Sequence, residues 1–391
     1  MGSSTPLRAP PGWTPQGAIT RHFPAIADLY WAVLPEIRPI EARLERDETH
    51  GLDTSYLRQA LRELRWRLEY TADTAGVRST LERIHTAAAS RAAPSAVTQD
   101  KDGSYGAGTE VWFLKLDASV DRLLAPDFAG KPPRFLDRIN NPESLEPYLK
   151  GLLVSRLAEE GVDHRKELNF ATAALVRLIL WRRPANYRWD PRLEAIIRRF
   201  VADWQDPATG FFGATYEIGG QRFRTNDLSL TFHMARYLEG RIGYWPRLID
   251  TLFEIRDDRY PNGWLDEAGM SSHNNYDIST LIALGWREMC ADQQRRARAE
   301  LDRLLDWCLN SAVSPDGKVV IHAKNESLAE SYYFAIAFLD TVGYFDQTKR
   351  FWTDRAFPDS LTLMARMADQ VRRLNQGDPM TRMALERLPL P

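Results

Sequence analysis

Residues 273–277 of the chain read His-Asn-Asn-Tyr-Asp. A histidine titrates near neutral pH and can take or give a proton. Tyr276, three residues on, can complete the opposite transfer. Asn274, Asn275 or an arginine beside them can neutralise a carboxylate, which makes the neighbouring carbon acidic enough to lose its proton. Arg224 opens a comparable segment, Arg-Thr-Asn226-Asp227, and its fork of donors suits a carboxylate. Arg165-Lys-Glu-Leu-Asn169 and Lys324-Asn-Glu326-Ser have the same character. Asp227, Asp277 and Glu326 add carboxylates, and two of these flanking a glycosidic bond would make a hydrolase. Trp264, Phe211 and Phe212 are placed to stack on sugar rings or to pack a turn. The candidate set is therefore His273, Tyr276 and Asp227 for proton chemistry. Asn169, Arg224, Asn226, Trp264, Asn274, Asn275, Asp277 and Glu326 are the candidates for holding the ligand. Asn, Asp and Ser are also the preferred helix N-caps, Asp227 and Asp277 above all, but one cap needs one side chain. His233 lies seven residues after Asn226, on the same helical face two turns deeper, as a core or channel histidine.

The elements that must position these residues are helices. Apolar residues recur at helical spacing over Ile26–Leu44, Tyr56–Tyr70, Val77–Ala87 and Glu110–Leu124. The pattern continues in pairs: Pro142–Glu159 with Arg165–Leu180, Pro191–Trp204 with Asp227–Leu238, and Trp245–Ile255 with Tyr276–Met289. Ala291–Leu309 with Ser327–Asp340 follows, and a helix near Asp359–Leu374 closes the chain. Pro207-Ala-Thr-Gly-Phe211, Pro261-Asn-Gly-Trp264 and Pro315-Asp-Gly-Lys318 mark equivalent turns, their prolines 54 residues apart. Asp102-Gly-Ser-Tyr105 reads as a fourth copy. Phe211–Phe223, with Gly219-Gly220 at its centre, alternates like a small β-hairpin. Residues 1–17 read as a flexible arm and 18–391 as one domain.

These turns, each followed by a loop and a helix opening with Asp and Ser/Thr, resemble the repeat of α/α toroids. Asn226-Asp-Leu-Ser-Leu-Thr231 and Tyr276-Asp-Ile-Ser-Thr280 carry the helix-opening half. Such toroids include the squalene cyclase and prenyltransferase superfamily, the six-hairpin glycosidases and the polysaccharide lyases. The resemblance covers roughly Leu52–Asp340. It implies an all-α (α/α)6 toroid with small β-hairpins in the outer-to-inner loops. It also implies a pocket where the inner helices begin, so that Asn169, Arg224, Asp227, His273, Tyr276 and Glu326 face one cavity. Several toroid polysaccharide lyases are similar in using Asn, His, Tyr and Arg.

The function expected is thus a carbohydrate-active lyase or hydrolase acting on an acidic or hydroxyl-rich oligosaccharide. The alternative is a terpene cyclase-like enzyme with an aromatic-lined cavity and an Asp general acid, but the Asp-x-Asp-Asp motif of squalene cyclases is absent. A non-enzymatic helical scaffold would have a blander mouth. Net charge is -2 and no long basic block occurs, which argues against nucleic acid as partner. The two cysteines, Cys290 and Cys308, form no metal or disulfide pattern, so no metal or cofactor is expected. No secretory h-region and no apolar run of about 20 residues are present, so the expectation is cytoplasmic residence without a membrane span.

Overall fold

The computed structural model describes residues 7–8, 14–50, 52–90, 95–126, 128–181, 186–321 and 327–388. Glu326 lies outside them. The described chain is mostly helical, with one small sheet. It packs as two compact units. The first comprises Met1–Arg46, Asp53–Trp204 and Gly213–Thr225, the second Asp47–Leu52, Gln205–Phe212 and Asn226–Pro391.

The first unit holds helices α1 (Pro15–His22), α2 (Pro24–Thr49, less its last turn), α3 (Ser55–Tyr70), α4 (Thr74–Ala89) and α5 (Trp112–Leu123). It continues with α6 (Pro142–Gly151), α7 (Leu157–Glu160), α8 (Arg165–Val176) and α9 (Leu193–Trp204). Helix α3 packs on α4 and α5, and α5 on α8. Strands β1 (Leu7–Arg8), β2 (Val154–Ser155), β3 (Thr215–Ile218) and β4 (Gln221–Arg224) form one sheet in the order β1-β4-β3-β2. The expected hairpin is β3–β4, antiparallel, turning at Gly219-Gly220 with positive φ at both glycines. Most of the expected N-terminal arm lies outside the described residues, but Leu7–Arg8 pair with Phe223–Arg224, and Pro15 opens α1.

The second unit holds α10 (Leu228–Tyr237), α11 (Trp245–Glu254), α12 (Ser272–Gly285) and α13 (Ala291–Trp307). Then come α14 (Leu328–Thr341), α15 (Ser360–Val371) and α16 (Pro379–Glu386). Helices α10, α12, α14 and α16 pack side by side in a row. Helix α12 runs parallel to α10: Phe232 meets Tyr276 near their starts and Gly240 faces Leu284 near their ends, a constant offset of 44 residues. Helix α11 is antiparallel to them, because Gly285 at the end of α12 lies against Trp245 and Ile249 at the start of α11. Burial follows this arrangement. In α11 one stripe is buried, whereas α12 is buried over most of its circumference.

Helix starts are fixed by local chemistry. Asp227 caps α10 by accepting from the Leu230 N–H, 2.9 Å. Ser271 caps α12, and a reciprocal Ser327–Glu330 capping box opens α14. Helix α12 therefore begins at Ser272, four residues earlier than the spacing predicts, and His273 sits in its first turn rather than in a loop. Two of the three repeated turns are built alike. Gly210 and Gly317 take positive φ, and each presses its Cα against a following helix, at Leu248 of α11 and at Arg366–Met367 of α15. Trp264, in the middle copy, is 1 % exposed and donates its indole N–H to the Leu252 carbonyl, 2.8 Å.

The first unit is pinned by Glu63, which is fully buried in α3. Its carboxylate accepts from Arg67 (2.9 Å), Arg83 (2.8 Å), Thr80 (3.2 Å), Thr109 (2.9 Å) and the Glu110 N–H (2.8 Å). Burial raises its pKa, but the Glu110 N–H, Arg83 and Arg67 together outweigh that, and the net shift is downward. A depressed folded pKa means the stabilisation is whole above the unfolded value of about 4.3 and drains as pH falls through the folded value. Glu63→Gln should cost about 3 kcal/mol, the low end for a broken buried pair, because Arg67 also holds Asp73. Urea unfolding at pH 7 checks this. The difference from the parent should shrink as the measurement moves below about pH 4.3.

Candidate functional site

The row α10–α12–α14 brings a cationic and aromatic nest together inside the second unit. Phe232, Tyr276 and Tyr333 occupy the fifth, fifth and sixth positions of their helices. Tyr276 lies edge-on to Phe232 (5.3 Å between ring centroids) and to Tyr333 (6.1 Å). Arg236 follows Phe232 by one turn, and helical side chains tilt back toward the N-terminus. Its guanidinium thus lies 5.6, 5.2 and 5.4 Å from the rings of Phe232, Tyr237 and Tyr276, and it donates to the Tyr333 hydroxyl at 3.2 Å. Arg387, just beyond α16, donates to the Tyr276 hydroxyl at 3.0 Å and lies 5.3 and 5.7 Å from the rings of Tyr276 and Tyr333. Asp340 pairs with Arg387 (3.1 Å) and Lys349 (2.5 Å).

The charges do not balance within this group. Asp340 is shared by two cations, and among the described residues no carboxylate pairs with Arg236. An enclosed guanidinium held by a phenol and ring faces has kept its charge at a desolvation cost that a carboxylate would offset. The nest is therefore electropositive and suited to an anion.

His273 and Tyr276 both belong to it, on one face of α12. The His273 ring stacks on Phe334 (4.1 Å) and leans on Tyr260 (5.4 Å). This enclosure lowers its pKa to about 4, so the imidazole is neutral at pH 7. Its side chain still keeps 31 % exposure, so protons can reach it. Asp277, fully buried one turn on, lies 3.9 Å from the ring and accepts from the Tyr260 hydroxyl at 3.3 Å. Tyr276 is 1 % exposed. Burial pushes its pKa up, against the pull of Arg236.

The remaining predicted residues are placed as follows. Asn274 is buried and donates to the Trp264 carbonyl at 2.9 Å, which ties α12 to its turn. Asn275 is buried about 100° round the helix from Tyr276, and its amide nitrogen has no partner among the described residues. Asn226 is half-buried beside the cap Asp227. Arg224 belongs to β4 in the first unit, where it donates to the Trp204 carbonyl. Asn169, also of the first unit, is buried in α8, one turn after Lys166 and two residues after Glu167. That turn is itself rich in shifted groups. Burial lifts Asp163 to about 6 and lowers Lys166, which sits 5.1 Å over the Tyr70 ring, to about 8. Glu167 accepts from the Tyr148 hydroxyl at 2.9 Å. His233 stacks on Tyr237 at 5.6 Å. A small cavity of about 70 Å³ lies between α6 and α9, lined by Glu146, Leu149, Arg199 and Phe200; the nest shares none of its lining.

Sequence reasoning missed Arg236, Tyr333 and Arg387. The readable signal for the first was an arginine one turn after Phe232 in an otherwise apolar helix, Leu-Ser-Leu-Thr-Phe-His-Met-Ala-Arg-Tyr. Among the described residues no group of His, Cys, Asp and Glu is arranged to hold a metal ion, and no helix is long and apolar enough to cross a membrane.

If Arg236 is kept for a ligand, the fold does not need its charge. Arg236→Met keeps the stem and removes the guanidinium. It should leave stability in urea unchanged or raised by about 1–4 kcal/mol. A loss of that size instead would make the guanidinium structural. No family model, no curated protein and no solved structure matches the chain.

Proposed function

We propose that the second unit carries the active site of a carbohydrate-active enzyme, a lyase that cleaves an acidic oligosaccharide by elimination. The observation that carries this reading is the pair of guanidiniums, Arg236 and Arg387, set on the Tyr276–Tyr333 pair with no carboxylate on Arg236 among the described residues. A uronate carboxylate is the anion that fits. Held by Arg236, it would draw charge from the adjacent carbon and make its proton removable. Tyr276, kept protonated by burial, is then the acid for the leaving oxygen. His273, neutral and partly exposed, exchanges protons between the nest and solvent. The carbon proton passes to the neutral His273 imidazole, its electron pair becomes a C=C bond, the C–O bond to the leaving sugar breaks and that oxygen takes the Tyr276 proton; exchange with solvent then restores both groups.

The frame proposed for this site is an α/α toroid of six helical hairpins, one domain over 18–391. Supporting it are the 54-residue turn spacing and the alternation of buried helices (α3, α5, α8; α10, α12, α14) with flanking ones. The hydrolase version needs two carboxylates across one bond. Asp227 spends one oxygen as the cap of α10, which favours the lyase. The terpene cyclase-like alternative remains an outcome of the test below.

Incubation with a panel of uronate-containing oligosaccharides, read by ultraviolet absorbance of the new C=C bond, tests the reading. Turnover is expected on at least one of them. Tyr276→Phe should then lose about 10²–10⁴-fold in kcat with the fold intact. Asp227→Asn should keep activity within about tenfold, since an amide also caps. Product without a C=C bond, together with loss in Asp227→Asn or Asp277→Asn, would establish hydrolysis. Turnover only of a prenyl substrate would establish the cyclase.

A further inference from the structure

Lys166 stands at the second position of α8, and the chain beside it builds its setting. The end of α3 pairs with the segment before α8. Thr71 and Val162 form an antiparallel bridge, and the Asp163 N–H donates to the Tyr70 carbonyl at 2.8 Å. This bridge holds the Tyr70 ring against the first turn of α8, and the Lys166 ammonium lies 5.1 Å over it. One turn on, the Phe170 ring carries the Arg62 guanidinium at 4.5 Å, and Arg62 pairs with Asp117 at 2.6 Å. Lys115, Lys150, Lys318 and Lys349 each pair with a carboxylate. Lys166 makes no ion pair and no hydrogen bond among the described residues, and rests on the Tyr70 ring. It is half-buried, which leaves a way in for a small molecule.

We propose that Lys166 is a nucleophilic amine, a covalent site in the first unit for an aldehyde or ketone that carries an anionic group. Its nitrogen adds to the carbonyl carbon. The two amine protons leave with the carbonyl oxygen as water, and a C=N bond remains. The step needs the amine neutral, and its setting favours that form. Burial disfavours the ammonium first, and Arg62, Arg65 and Arg165 repel its proton, whereas Glu69 helps to hold it. The positive end of the α8 dipole adds to the repulsion. Tyr70 beneath the amine is kept protonated by burial. The other carboxylates nearby are engaged: Asp117 by Arg62, Glu167 by the Tyr148 hydroxyl and Asp163 by the Arg165 N–H. Lys166 is thereby brought down to about 8, and roughly a tenth of it is neutral at pH 7. The arginines that repel the proton also draw an anionic group toward the amine. The site belongs to the first unit and stands or falls apart from the lyase reading.

Reductive trapping on the whole folded chain tests this. The protein is treated with 4-formylbenzoate and cyanoborohydride, and the lysines that carry the reduced adduct are mapped by mass spectrometry across a pH series. Lys166 should be labelled at least about tenfold faster than the exposed Lys150 and Lys318 at pH 7. That preference should hold below about pH 8 and shrink above it, as the ordinary lysines also lose their protons. Arg62→Met removes a repelling charge, so it should slow the labelling of Lys166 about threefold or more at pH 7. 4-Formylbenzamide, which has the same ring without the charge, should show a smaller preference for Lys166. Labelling of Lys166 no faster than of Lys150 and Lys318, or a preference unchanged well above pH 8, overturns the nucleophilic amine. An equal preference with 4-formylbenzamide overturns the anionic class of ligand.

Discussion

Arg236 carries a guanidinium into a helix row where, among the described residues, ring faces and a phenol lie around it. Water would solvate that charge far better than rings do, so its place there has to be imposed by packing. The imposition is visible. Helix α10 is buried on nearly all sides, its start is fixed by the Asp227 cap, and its parallel register with α12 sets Phe232 on Tyr276. Arg236 then has no route but across that ring toward Tyr333. Arg236 and Arg387 each donate to one of the two tyrosine hydroxyls, while burial keeps His273 neutral beside them.

The surrounding scaffold is conventional by comparison. In two of the repeated turns, at Gly210 and Gly317, glycine backbone presses against the next flanking helix, and the helix starts are capped by Asp227, Ser271 and Ser327. In the first unit the same problem of buried charge is solved in the usual way, with Glu63 receiving two arginines and three further donors. The contrast is informative. One buried charge is compensated by two arginines and further donors, whereas the other has no carboxylate partner among the described residues. Stability explains the first, and a bound ligand is what we propose for the second.

Much of the helical frame was legible because most helices here are one-sided, and apolar spacing reports one-sided burial directly. Gly219-Gly220 announced the β3–β4 turn for the equally local reason that both positions need positive φ. The start of α12 was misread because His-Asn-Asn-Tyr-Asp looks like a loop to any rule based on propensity. Ser271, the cap that corrects it, was the overlooked signal. Helix α16 was missed in a short segment near the Pro-rich end. His273 and Tyr276 were chosen for their chemistry, and both lie in the nest. Arg236, Tyr333 and Arg387 were illegible for one reason. An arginine in a helix reads as a solvent face and a Tyr-Tyr-Phe run as core, unless the helix is known to be enclosed by its neighbours.

The central claim is that Arg236 is held in readiness for a carboxylate. Crystals of the protein grown with saturating galacturonate oligosaccharide test it most directly. The account predicts the carboxylate within about 3 Å of the Arg236 guanidinium. Sugar bound against the Asp163–Glu167 turn of α8 instead, or an Arg236 still surrounded only by its rings at saturation, would contradict it.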